Sequence, residues 1–278
     1  MSGFSVEWLT LRADADVRAR SVPLETAMMA ALRARRDLRG SSGGTPGPLV
    51  CVDLGTGSGA NFARLATRLP GLQHWRLLDA DAALLALAAG RAADGTASRV
   101  DCVKIDLATA DLAGLCHGAD LVTASALLDL VSTAWFERLA DAVVAAHACA
   151  LFVLDYDGRR ECTPWDPLDV AAHAAFERHQ RCDKGFGVAL GAAAVEHAAR
   201  AFERRGYLVR RARSDWRLDG ADATLQRTLL DGWHAAACEA VPGRAAEFDA
   251  WYARRGALLD AGAAHVVVGH EDLLVLPR

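Results

Sequence analysis

The sequence predicts an α/β fold in which a seven-stranded, mostly parallel sheet carries helices on both faces. Two observations support this prediction: short apolar runs alternate with helical patterns along the chain, and the first such run, 49–54, leads into a glycine cluster at 55–59. This alternation is typical of a parallel sheet with crossover helices. With 278 residues, 52% of them hydrophobic, the chain is long enough for one large α/β domain or for a core domain with a cap.

The composition argues against several classes of function. The formal net charge of −4 disfavours a general nucleic-acid binder, which needs a basic surface. We interpret the arginine-rich stretch 200–217 as a solvated helix end and strand face. The seven cysteines include no C-x-x-C pair, and several lie in apolar runs, so we expect a reducing, cytoplasmic setting. Lysine occurs only at Lys104 and Lys184, a bias typical of a GC-rich bacterial genome.

The N-terminal segment predicts neither a signal peptide nor a membrane anchor. Glu7, Asp14 and Asp16 interrupt its apolar residues, and no apolar run of the chain reaches the ~20 residues of a membrane span. We therefore expect no membrane partner.

Residues 5–37 predict one or two helices, with Pro23 at a break or in a first turn. Leu24, Met28 and Leu32 share one face of this pattern. We expect an N-terminal helical cap over 1–40, followed by a turn-prone connector over 40–48.

The glycine cluster follows a buried strand and precedes a helix, and glycines there let the backbone turn sharply and a ligand approach closely. Gly55, Gly57 and Ala60 satisfy the dinucleotide fingerprint G-x-G-x-x-G/A, so the glycines alone leave a dinucleotide and S-adenosylmethionine open. Asp53, inside the strand, extends the motif to D-x-G-x-G-x-G, ending at Gly59. This longer motif resembles motif I of the class I S-adenosylmethionine-dependent methyltransferases.

The resemblance implies that S-adenosylmethionine is the cofactor and that the acidic residue orients the turn and the methionine end. It implies cofactor contacts from the loop residues Asp53, Gly55, Thr56, Gly57, Ser58, Gly59 and Asn61. In this family an arginine of the N-terminal segment can meet the methionine carboxylate. Arg12 and Arg20 are the candidates, and we assign the contact to Arg20.

The second strand, 75–78, ends at Asp79 and is followed by a helix to residue 89. A carboxylate at this strand end can accept both ribose hydroxyls, so we assign Asp79, with Ala80 beside it, to the ribose. Asp81 is better explained as the N-cap of the following helix. An NAD enzyme would also have an acid here, so Asp79 supports a nucleotide ligand more than a methyl donor.

The third strand, 99–107, carries an acid at its end, and the resemblance implies that Asp106 and Leu107 read the adenine. The fourth strand lies within 119–130, where the resemblance implies that Ser125 lies under the adenosine and methionine and Asp129 near the open methyl group.

A helix over 132–148 and a fifth strand over 150–155 come next. The stretch 156–205 is too long for a simple crossover, and we expect an insertion over about 156–191, a helical substrate lid. The last crossover helix, 192–205, leads to a sixth strand, 206–213. Helices near 223–240 and 244–256 and a seventh strand, 265–275, complete a methyltransferase domain over 49–278. A late pair of strands suits the reversed hairpin of this family and argues against a dinucleotide-binding domain.

Methyl transfer from a sulfonium needs positioning more than a nucleophilic side chain. A general base matters only for a protonated acceptor. The candidates are Asp129, Asp155, Tyr156 and His179, with Asp129 first. We expect no metal site, because His173 and Glu177 share a helical face whereas His179 lies on another.

The sequence therefore predicts a class I methyltransferase that transfers a methyl group in line to a small-molecule acceptor. Three alternatives stay open: an RNA methyltransferase, an NAD-linked oxidoreductase, and a catalytically silent S-adenosylmethionine-binding protein. Nucleic acid is not the expected partner, and a homodimer is compatible with the sequence.

Overall fold

The computed structural model describes residues 5–40, 47–92, 97–180, 183 and 185–278. The connector predicted over 40–48 falls largely on residues outside this part of the chain. The helices are α1 (Val6–Ala19), α2 (Val22–Gly40), α3 (Ala60–Ala66), α4 (Ala82–Ala92), α5 (Leu112–Cys116), α6 (Thr133–Ala145), α7 (Asp169–Gln180), α8 (Ala194–Arg204), α9 (Ala223–Ala240) and α10 (Ala245–Asp260). The strands are β1 (Leu49–Leu54), β2 (Gln73–Asp79), β3 (Arg99–Lys104), β4 (Leu121–Ser125), β5 (Cys149–Thr163), β6 (Leu208–Arg213), β7 (Trp216–Leu218) and β8 (His265–Leu276).

The strands form one sheet in the order β3-β2-β1-β4-β5-β8-β6, and the short β7 also pairs with β8. Strands β1 to β5 pair in parallel, whereas β8 is antiparallel to both β5 and β6. The expected α/β class, a mostly parallel sheet with a reversed last hairpin, is confirmed. The sequence order reverses between β1 and β4, which is where open sheets of this kind bind ligands.

Both faces of the sheet are covered because β1 is apolar on both sides. Val52 and Leu54 point to the side of α6 and α8, while Cys51 points to the side of α2 and α3, and all three are fully buried. Such a strand reads as a continuous apolar run, which explains why the sequence shows no alternation there.

The N-terminal helices follow the predicted pattern. Pro23 lies in the first turn of α2, where its missing N–H costs nothing. Leu24, Met28 and Leu32 pack on the sheet, and the last two are fully buried. Helix α2 is thus a layer of the core, and the division of the chain into a cap and a domain stays a prediction. None of the helices in the described part of the chain is long and apolar enough to span a membrane.

The structure differs from the prediction after residue 155. Strand β5 continues to Thr163, paired with β8 as far as His265, so the first part of the predicted lid is strand. Residues 156–163 are mostly polar and include Gly158, so the sequence shows no apolar alternation that would predict a strand there. They form a strand because they pair with the apolar first half of β8. Helices α7, α9 and α10 pack on this extension around Trp216, Trp233 and Trp251. The role of 156–191 as a lid stays a prediction.

Candidate functional site

The loop between β1 and α3 is built from glycines in a left-handed conformation. Gly55, Gly57 and Gly59 have φ angles of +61°, +54° and +79°. A Cβ at Gly59 would lie 2.9 Å from both Cα and Cβ of Ala88 in α4, so glycine is needed there for close packing as well as for the turn. The amide of Thr56 donates to the carbonyl of Leu78, which ties the loop to β2.

Asp53, at the end of β1, fastens the two ends of this loop. Its Oδ2 accepts a hydrogen bond of 2.7 Å from Thr56 Oγ1, and its Oδ1 accepts one of 2.7 Å from Asn61 Nδ2. The side chain is only 1% exposed, and this burial raises the pKa of Asp53 to about 6. The carboxylate therefore lies directly beneath the loop that would carry a ligand.

Arg20, at the C-terminal end of α1, connects the N-terminal helices to this loop. Its Nη1 donates to Asn61 Oδ1 over 2.6 Å, and its Nε lies 3.0 Å from Glu25 Oε1. Its Nη2 is buried and has no hydrogen-bond partner among the residues that the structure describes. Since an unpaired guanidinium donor is costly inside a protein, this nitrogen is available for an anionic group of a ligand.

Asp79, at the end of β2, contacts the same loop from the other side. Its Oδ2 accepts from the amide of Gly57 over 2.8 Å, and its Oδ1 accepts from the amide of Asp81 over 2.9 Å. Asp81 caps α4 as predicted, because its Oδ1 accepts from the amides of Ala83 and Leu84. Ala80 is exposed, and Ser58 is half-buried.

Asp106 follows Ile105, whose amide donates to the carbonyl of Asp79 over 2.9 Å. Asp106 is exposed in the turn after β3, and its Oδ1 accepts from the amide of Ala108. Among the described residues, no hydrogen bond joins it to Asp53 or Asp79. Leu107 is buried, and its carbonyl accepts from Trp135 Nε1 over 2.6 Å. The acids of the first two strands thus both bind the glycine loop, whereas Asp106 hydrogen-bonds within the turn that follows β3.

The end of β4 carries the proposed catalytic candidate. Ser125 and Asp129 are half-buried. Asp155 of β5 is 1% exposed, and its Oδ1 accepts from the amides of Leu127 and Leu128, so it holds the turn that leads to Asp129. Burial, and then the negative charge of Asp129, raises the pKa of Asp155 well above its usual range. Tyr156 points away, donating to Glu177 of α7, and His179 lies 3.5 Å from Glu239 of α9.

One central residue, Asp272 of β8, is missing from the sequence-based prediction. It is fully buried, its Oδ2 accepts from the amide of Ser21, and its Oδ1 accepts from that of Leu154. It thereby joins the junction of α1 and α2 to the bend of β5, where Leu154 has a φ of +58°. The sequence signal for this residue was an acid within the mostly apolar stretch 266–276. A buried strand tolerates a carboxylate only when the carboxylate is hydrogen-bonded.

Neither a scan against protein-family models nor a search of curated proteins found a match for the chain. Solved structures with a similar fold include YjhP from E. coli, 16% identical over 97% of this chain and 98% of that chain, with a TM-score of 0.49. An S-adenosylmethionine-dependent methyltransferase from Geobacter sulfurreducens, in complex with S-adenosyl-L-homocysteine, is 17% identical over 100% of both chains, with a TM-score of 0.49. A counterpart from Thiobacillus denitrificans is 15% identical over 100% of both chains, with a TM-score of 0.47.

The parallel sheet, its reversed last hairpin and the loop formed by Asp53 and the glycines are the features that the sequence predicted together. The chain therefore has the mostly parallel α/β fold with a reversed last hairpin that the resemblance to the class I S-adenosylmethionine-dependent methyltransferases implies.

Proposed function

We propose that the protein is an S-adenosylmethionine-dependent methyltransferase that acts on a small-molecule acceptor. The observation that carries the proposal is the hydrogen-bonded chain from Arg20 through Asn61 to Asp53, which ends at the unpartnered Nη2 of Arg20. S-adenosylmethionine has a carboxylate, an ammonium group and no phosphate. A buried guanidinium beside a buried carboxylate matches these two charges, whereas a pyrophosphate would be repelled by Asp53.

The residues present fit the remaining parts of the cofactor. Each oxygen of Asp79 accepts one backbone hydrogen bond and keeps a lone pair for a ribose hydroxyl. In the proposal, Asp106 and the amide of Leu107 bind the adenine edge, and Ser125 lies beneath the adenosine. Gly55, Thr56, Gly57, Ser58 and Gly59 supply the turn that admits the ligand.

When bound, the cofactor supplies a methyl group already activated by a sulfonium. The chain must then orient the acceptor and exclude water. Helix α1 covers the loop, because Leu9 Cδ1 would lie 3.4 Å from a Cβ at Gly57. We assign proton removal from a hydroxyl or ammonium acceptor to Asp129, with Asp155 as a positioning residue. Burial and the neighbouring charge of Asp129 raise the pKa of Asp155, which favours its protonated, positioning role.

A group of aromatic rings beside Asp155 supports a small-molecule acceptor. Next to Asp155, the rings of Tyr156, His270 and Trp216 form a wall, with centroids 6.3 Å apart for Tyr156 and His270 and 4.8 Å apart for Trp216 and His270. Burial lowers the pKa of His270 to about 3, so its ring is uncharged at neutral pH. Because Trp216 and His270 are only 3% and 6% exposed, the rings form an aromatic core behind the proposed acceptor site, and a site backed in this way suits a compact, largely apolar molecule.

The arginine-rich stretch argues against the RNA alternative. Arg200 and Arg211 pair with Glu196, Arg205 pairs with Asp141, and Arg211 also pairs with Glu271. These carboxylates neutralise the positive charge that a phosphate backbone would need.

Titration calorimetry of the full chain with S-adenosylmethionine, S-adenosylhomocysteine and NAD tests the proposal. We expect the first two ligands to bind with one site per chain and NAD to give no heat. A screen of small hydroxyl and amine compounds with labelled cofactor then identifies the acceptor. Binding of NAD without S-adenosylhomocysteine would replace the proposal by an oxidoreductase. Binding of the cofactor with no transfer to any acceptor would indicate the silent binding protein.

A further inference from the structure

Helices α9 and α10 bring three metal-ligand side chains to one point, far along the chain from the glycine loop. His234 and Cys238 are four residues apart on α9 and so share a face, while Asp249 approaches from α10. Asp249 Oδ1 lies 2.7 Å from His234 Nε2, and Cys238 Sγ lies 3.5 Å from the same nitrogen. One ligand atom from each residue lies within 4.8 Å of the other two.

These atoms have the chemistry and the spacing of a zinc site. Zinc in proteins binds thiolate sulfur at ~2.3 Å and imidazole nitrogen or carboxylate oxygen at ~2.0–2.2 Å, in tetrahedral geometry. Tetrahedral ligands at such bond lengths are about 3.3–3.8 Å apart. The 3.5 Å contact between Cys238 and His234 already matches this spacing, and the hydrogen bond between His234 and Asp249 has to open by about 0.6 Å or more to admit the ion.

The surroundings orient the imidazole. The Tyr252 ring lies 4.6 Å from the His234 ring at an interplanar angle of 32°, and its hydroxyl donates to Asp231 Oδ1 over 2.7 Å. Tyr252 belongs to α10 and Asp231 to α9, so the support for the histidine also comes from both helices. The packed Tyr252 ring restricts rotation of the imidazole.

We propose that His234, Cys238 and Asp249 bind one zinc ion, with water as the fourth ligand, and that the ion clamps α9 to α10. Binding displaces the thiol proton of Cys238 to solvent and takes His234 as the neutral imidazole, so no oxidant or reductant is involved. The site does not depend on methyl transfer.

A second group of ligand side chains, Cys162, Asp169 and His173, provides the contrast. There Asp169 accepts from Arg255 through Nε and Nη2, and also from Trp251 Nε1 over 2.8 Å. A metal ion would have to displace the buried guanidinium of Arg255. We therefore assign the ion to the pair of helices and use Cys162 as the control position.

Cobalt substitution tests the proposal on the full-length chain. With Co²⁺ alone as the probe, thiolate coordination gives a near-ultraviolet charge-transfer band, and Zn²⁺ should abolish it by replacing the cobalt. We expect this band in the wild type and in Cys162→Ala, at one ion per chain, and its loss in Cys238→Ala. Asp249 is mostly exposed, so Asp249→Asn should fold normally and bind Zn²⁺ at least about tenfold more weakly, one lost ligand contact.

Two results would overturn the assignment, and the second has a special case that relocates the ion. They are the absence of the band in the wild type and its persistence in Cys238→Ala; such persistence together with loss of the band in Cys162→Ala would move the ion to the buried group. Far-ultraviolet circular dichroism checks that each variant is folded. If Cys238→Ala is not folded, an unchanged Zn²⁺ affinity in Asp249→Asn refutes the proposal by itself.

Discussion

Replacing Gly59 by alanine tests how closely the glycine loop is packed on α4. The residue has a φ of +79°, and the new Cβ would lie 2.9 Å from Cα and Cβ of Ala88. The left-handed conformation costs a non-glycine residue about 1–2 kcal/mol, overpacking adds about 1–3 kcal/mol, and the stiffer unfolded chain returns about 0.4–1 kcal/mol. We expect the free energy of unfolding to fall by about 3 kcal/mol.

Gly206→Ala is the matched control, because Gly206 has a φ of +82° and no atom within 4 Å of its Cβ position. This variant has only the cost of the left-handed conformation, so its free energy of unfolding should fall by only about 1 kcal/mol. Urea unfolding followed by far-ultraviolet circular dichroism measures both values at 25 °C. Equal losses in the two variants would refute the reasoning, since the contact with α4 would then contribute nothing. Calorimetry should also show weaker S-adenosylhomocysteine binding in the Gly59 variant only.

Three further predictions concern the carboxylates of the site. Asp79→Ala should weaken S-adenosylhomocysteine binding about 100-fold or more, since two charged hydrogen bonds are lost. Asp81→Ala, which removes only a helix cap, should keep the wild-type affinity. If calorimetry gives the Asp79→Ala variant the wild-type affinity, Asp79 is not part of the site. Because the pKa of Asp53 is about 6, affinity should decline as pH falls through 6, whereas Asp53→Asn should give a flat, weaker profile between pH 5 and 8. Because the pKa of Asp155 is raised in the folded state, the folded protein holds this proton to a higher pH than the unfolded chain does. The free energy of unfolding of the wild type should therefore fall with rising pH relative to that of Asp155→Asn. An identical pH dependence of the two proteins in urea unfolding would contradict this.

Local features of the fold could be predicted from the sequence. The strand, the glycine turn and the helix around Asp53 depend on neighbours in the chain, and so does the cap at Asp81. Pro23 falls in the first turn of α2 for the same reason. Each of these is fixed by backbone conformations that a few consecutive residues determine.

Features that depend on distant partners could not be predicted. The polar half of β5 is a strand only because β8, about a hundred residues later, pairs with it. β7 has three residues, Trp216–Leu218, too few to show a period. The position of Arg20 Nη2 and the hydrogen bonds of Asp272 to Ser21 and Leu154 arise only when α1, β5 and β8 meet in space.

The antiparallel arm of β5 and β8 has a mechanical consequence for the helices that stand on it. Main-chain hydrogen bonds connect the arm to the sheet, so α7 and α9, which pack on the arm, rest on a continuous extension of the sheet and not on a loop. The ladder shifts register between Tyr156 and Arg160, where Gly158 has a φ of +88°. A Cβ at Gly158 would lie 2.8 Å from Cβ of Ala192, so the arm is packed closely against the segment before α8 at this point, and any larger residue there would push the two apart.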